Sequence, residues 1–101
     1  MIVLHASFPI DPARRDDALE LFADLVEQSQ QEDGMVEYQA TTDVRDPNTV
    51  RFFEWYENED AFDAHTQTDH FQDFEEQLPE FLAGEPDVMR FEVSEATELE
   101  L

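Results

Sequence analysis

Three histidines, His5, His65 and His70, are the side chains best placed to move a proton near neutrality. Glu54 lies inside an aromatic stretch, Val50-Arg51-Phe52-Phe53-Glu54-Trp55-Tyr56. A carboxyl group inside a strand buried on both faces needs a partner. His65, Arg51 and Arg90 are the candidates. A Glu54–His65 pair would hold one imidazole nitrogen, fix the tautomer and raise the basicity of the other. Trp55, the only tryptophan, offers a flat ring for stacking. Tyr38 and Tyr56 offer hydroxyls, and His70, beside Phe71, could line the mouth of a cavity. Each residue also has a structural alternative. His65 can tie a helix to the sheet, His70 can cap one, Trp55 and the tyrosines can be core, and Glu54 can form an ion pair between chains.

A metal centre is a separate question. His65 and His70 are five residues apart. On one continuous helix that is a rotation of about 500°, which leaves them about 140° apart and divergent. Only a break before Thr68 could gather them with Glu54 into a two-histidine, one-carboxylate set. The expectation is no metal and no cofactor. The chain has no cysteine, which removes thiolate ligands, disulfides and a cysteine nucleophile.

Charge narrows the field further. The 101 residues carry 27 acids and five basic residues, all arginine, for a net charge of −22. No basic patch exists to displace counterions from a nucleic acid or to bind an anionic membrane. No apolar run approaches the ~20 residues of a membrane span, and the N-terminus lacks the pattern of a signal peptide. A soluble, cytoplasmic protein is expected. With 41% hydrophobic residues, including nine Phe, the chain has enough apolar matter for a core. Acids spread along the whole chain, with no lysine, form the surface expected in a high-salt cytoplasm, where screening mutes self-repulsion.

The elements that must position these residues are readable from periodicity. Residues 2–9 alternate as a strand whose Ile2, Leu4, Ala6 and Phe8 share a face, with His5 on the other. Asp11-Pro12 opens a helix over residues 12–32, with Ala18, Leu19, Phe22, Leu25 and Val26 on one side and Gly34 as its stop. Residues 35–43 and 50–57 form a hairpin around the Arg45–Asn48 turn. Asn58 caps a short helix to about His65. Thr68 caps the next, which Pro79 should kink or split. Residues 88–95 form the last strand. The order β-α-β-β-α-β predicts an α+β, ferredoxin-like single domain over residues 1–101, with a four-stranded antiparallel sheet. Helices cover one face of such a sheet. Val3, one of Phe52 and Phe53, Val88 and Phe91 cannot all point at them. A homodimer with sheets packed face to face is expected to bury the second face.

Phe53-Glu54-Trp55, Ala61-Phe62, His65 and Thr68-Asp69-His70-Phe71 together resemble the antibiotic biosynthesis monooxygenase (ABM) domain family. The spacing from Glu54 to His70 is most similar to its quinol monooxygenase branch. The resemblance implies a dimeric α/β barrel that oxidises a quinol-like or phenolic small molecule with O₂ and without cofactor. It places His65 and Glu54 as catalytic residues, and Trp55, His70, Tyr56 and Phe71 against the substrate. The haem-degrading branch fits less well. It has a tryptophan near the position of His65 and a haem-ligating histidine near Glu75. It also has an asparagine on the first strand, and residues 1–10 contain none. The alternative in another class is a non-catalytic dimeric barrel that binds a hydrophobic metabolite or supports stress tolerance.

Overall fold

The computed structural model describes all residues from 1 to 101. The elements are β1 (Ile2–Pro9), a 3-10 turn (Pro12–Arg14), α1 (Arg15–Ser29), β2 (Met35–Thr42), β3 (Thr49–Tyr56), α2 (Glu59–Thr66), α3 (Asp69–Gln77), a second 3-10 turn (Leu78–Phe81) and β4 (Asp87–Glu92). The strands form one antiparallel sheet in the order β2-β3-β1-β4, the arrangement expected of the ferredoxin-like pattern. No helix is long and apolar enough to cross a membrane.

The first helix is shorter than its periodicity suggests. Asp11 accepts the Ala13 amide at 3.0 Å, but this cap serves the 3-10 turn. Arg14, at φ −116° and ψ 10°, breaks the path before α1 begins. At the other end α1 stops at Ser29, and residues 30–33 make isolated turns before Gly34 reverses the chain at φ +79°. A β-carbon on Gly34 would come within 2.7 Å of the Ala61 Cβ. Glycine is therefore required twice, for a left-handed backbone and for close approach of this loop to α2. β4 runs from 87 to 92 and not to 95, although Val93 still donates to the Met1 carbonyl at 2.8 Å.

The helices cover one face of the sheet. Ile2, Leu4, Ala6 and Phe8 of β1 and Val50, Phe52, Glu54 and Tyr56 of β3 point toward them and are buried. Phe8 and Phe22 each meet Phe52 edge-on at 5.4 Å between ring centres. Such contacts contribute about 0.5–1.5 kcal/mol each beyond area burial. The opposite face presents Val3, His5, Phe53, Trp55, Met89 and Phe91, as the register requires. Val88 pairs with Ala6 and so lies on the helix side. β4 itself is exposed along its whole length, although Arg90 reaches α2, donating to Glu59 at 2.8 Å and lying over the Phe62 ring.

Candidate functional site

His65 sits near the end of α2 with its side chain 1% exposed. Asn58 starts that helix by accepting the Ala61 amide at 2.9 Å. At its end, Thr68 does two things. Its hydroxyl donates to the His65 carbonyl at 2.7 Å and accepts the Phe71 amide at 3.2 Å, which starts α3. The chain turns at this point, so His65 and His70 do not follow a single helical rotation. They converge, with ring centres 6.2 Å apart.

The group between them is Glu32, from the loop after α1. One carboxylate oxygen, Oε2, lies 2.8 Å from His65 Nδ1 and 2.7 Å from His70 Nε2. Three expectations change here. The partner of His65 is Glu32 and not Glu54. The two histidines do meet, although a continuous helix would have kept them apart. The acid at their meeting point is again Glu32. A carboxylate oxygen only accepts, so His65 Nδ1 carries the proton in this contact. Its other nitrogen, Nε2, is buried and has no partner within the chain. Burial lowers the imidazole below its ordinary pKa, partly opposed by the Glu32 contact, so the neutral form with a free lone pair is favoured.

His65 lines a cavity of about 240 Å³ between the helices and the inner sheet face. Leu4, Tyr38, Phe52, Glu54, Phe62 and Phe71 share its wall, and Pro86 and Val88 extend it toward β4. The Phe71 ring stands 4.9 Å from that of His65. Glu54 faces this cavity from β3. Its Oε1 accepts the Tyr56 hydroxyl at 2.6 Å. Burial pushes the Glu54 carboxyl up to about 7, opposed by the Tyr56 bond and reinforced by the charge of Glu32. The tyrosine hydroxyls of Tyr38 and Tyr56 are raised chiefly by their own burial and by the negative charge of Glu54.

The other expected residues divide. Phe71 lines the cavity. Tyr56 packs on the His65 and Phe62 rings, at 5.6 and 5.3 Å, and spends its hydroxyl on Glu54, so it holds the carboxyl and does not line the wall. His70 reaches Glu32 from α3 and borders a separate groove between α1 and α3. Trp55 cannot stack on a ring held at His65. Its alternation with Glu54 puts it on the opposite face of the sheet, where its indole NH lies 3.3 Å from Met1 Sδ. Glu32 went unnoticed in the sequence because nothing local distinguishes it from the other acids. Its position follows from the close approach of the Gly34 loop to α2.

Comparison with known proteins agrees with this architecture. The family model for antibiotic biosynthesis monooxygenase matches residues 1–77. YcnE of Bacillus subtilis (strain 168) is 36% identical over 95 residues, spanning 94% of this chain and all of that one. A solved antibiotic biosynthesis monooxygenase structure is 26% identical and superposes with a TM-score of 0.86, over 94% of this chain and 100% of its own. Rv0793 from Mycobacterium tuberculosis, 21% identical, shares the fold with a TM-score of 0.89 over 96% of this chain and 98% of its own. The chain therefore belongs to the antibiotic biosynthesis monooxygenase (ABM) family.

Proposed function

We propose that the cavity beside His65 oxidises a quinol-like or phenolic small molecule with O₂, without a cofactor. The observation that carries this reading is the unpartnered Nε2 of a buried, neutral imidazole on an apolar cavity wall. In this scheme His65 Nε2 accepts the proton of a substrate hydroxyl, while Glu32 balances the charge that develops on the ring. The aromatic anion then passes electrons to O₂. One oxygen atom forms the new bond to carbon. The O–O bond breaks, and the other oxygen leaves as water with two hydrogens from the substrate. A quinol plus O₂ thus gives a hydroxyquinone plus water, with all four electrons supplied by the substrate. Glu54, a carboxyl poised near neutrality on the same wall, can return a proton to the reduced oxygen.

The same proposal includes a homodimer. Val3, Phe53, Trp55 and Phe91 form an apolar outer face that a second copy would cover, and the acidic surface suits a high-salt cytoplasm. The test is O₂ uptake with a dihydroxynaphthalene. His65→Ala should lower turnover by ~10²-fold or more while circular dichroism stays native. His65→Gln, which retains bulk, should lose as much. Full activity in either folded variant, or a wild-type protein that binds quinols and never turns them over, would overturn the catalytic reading.

A further inference from the structure

The cluster at the ends of α2 and α3 has more coordinating capacity than the proposed reaction requires. We propose that Glu32, His65 and His70 form a binding site for a borderline divalent transition metal, of which Zn²⁺ is the probe, and that the bound ion silences the His65 base. The three donor atoms, Glu32 Oε2, His65 Nδ1 and His70 Nε2, all lie within 4.8 Å of one another. Two imidazole nitrogens and one carboxylate oxygen form the three-ligand set of catalytic zinc centres, and imidazole also suits iron, nickel and copper ions. Around a tetrahedral ion about 2.1 Å from each ligand, neighbouring donors stand about 3.4 Å apart. The observed spacings of 2.8 and 2.7 Å from Glu32 to the two nitrogens need to widen by about 0.6–0.7 Å, within reach of side-chain rotation.

The backbone gathers these ligands before any ion arrives. Gly34 brings the Glu32 loop against Ala61, and the Thr68 hydroxyl sets the turn that directs His70 back toward His65. The site also has an approach. His70 and Glu32 remain 17% and 13% exposed. His70 opens onto the α1–α3 groove, about 220 Å³, where Asp24, Asp69 and Asp73 attract cations and water can complete the coordination.

Coordination at Nδ1 displaces its proton, so the neutral ring must carry its remaining hydrogen on Nε2. That nitrogen then donates into the cavity and can no longer accept a substrate proton. The silencing rests on the base role proposed above, whereas the binding does not.

The intact protein would be titrated with ZnCl₂ by calorimetry in molar KCl, which screens adventitious binding to surface carboxylates. Histidine ring nitrogens would be followed in parallel by NMR. One Zn²⁺ per chain is expected, with shifts at His65 Nδ1 and His70 Nε2 and none at His5. Glu32→Gln and His70→Ala should each weaken binding by ~10–100-fold, and His5→Ala should leave it unchanged. Both affected side chains are partly exposed, so the folded state should tolerate their loss. The absence of saturable binding, or equal binding by wild type and both variants, would overturn the site. Zinc that binds there and leaves quinol turnover intact would overturn the silencing alone. A protein inert toward quinols at every zinc level would count against the function proposed above and leave the binding result standing.

Discussion

The two faces of the sheet are made from neighbouring residues of the same strands, yet they have different surroundings. On β3, Phe52, Glu54 and Tyr56 are buried under the helices, whereas Phe53 and Trp55 alternate with them on the open side. The inner face holds an aromatic core, a carboxyl forced toward neutrality and a histidine with an idle lone pair. The outer face is comparably apolar but has no titratable group drawn into a cavity. Apolar content alone therefore does not locate a site. A site needs enclosure by a second layer, which shifts the proton affinities of whatever polar groups it traps.

The sharpest test of this contrast uses two adjacent residues of one type. Phe52→Ala empties a core position and should cost about 3–5 kcal/mol of stability. Phe53→Asp should cost the isolated chain about 1 kcal/mol or less. Its effect should appear in assembly, with light scattering in molar KCl returning a species near 11.8 kDa in place of twice that mass. Equal destabilisation by the two changes would erase the distinction between the faces.

A smaller effect concerns Glu54. Its carboxyl is raised in the fold from an ordinary value of 4.5 to about 7, so the folded state favours the protonated form. The stability this group contributes is complete below its unfolded value and is lost as pH rises through about 7. Integrated over that window, the loss approaches about 3 kcal/mol. Glu54→Gln should match wild type in urea unfolding at acid pH and exceed it above neutrality. Taking the difference between the two proteins cancels the common repulsion among surface acids. Parallel pH profiles would show that Glu54 is solvated.

The smallest effect is expected at Trp55. If the ring lies outside the chemistry, Trp55→Phe should leave the KM for a quinol within about twofold. A tenfold or larger rise would return Trp55 to the substrate.

Much of the scaffold was legible because it rests on local periodicity. Alternation in residues 2–9, the Asn58 and Thr68 caps and the break at Pro79 all reappear in the structure. The same alternation already separated Glu54 from Trp55, so assigning both to one pocket was inconsistent with strand geometry. His65 and Phe71 were singled out as residue types within a family pattern, and periodicity alone did not place them on a common cavity. Glu32 was not singled out. It belongs to no element, and its importance arises only when a loop remote in sequence meets α2. Nor could spacing show that His65 and His70 converge, because their angle depends on one hydroxyl that bonds both helices.

That Gly34 lies 2.7 Å from the Ala61 Cβ, measured from where its own β-carbon would stand, limits how this lineage can vary. Position 34 cannot accept a side chain while Ala61 stays as it is. A side chain at 34 would push the loop away from α2 and draw Glu32, two residues earlier, off both histidines. Trimming Ala61 to glycine would relieve the contact and not the backbone strain, so position 34 stays glycine whatever stands at 61. A substitution outside the cavity wall, with no polar atom of its own, can therefore dismantle the proton-handling group without touching it.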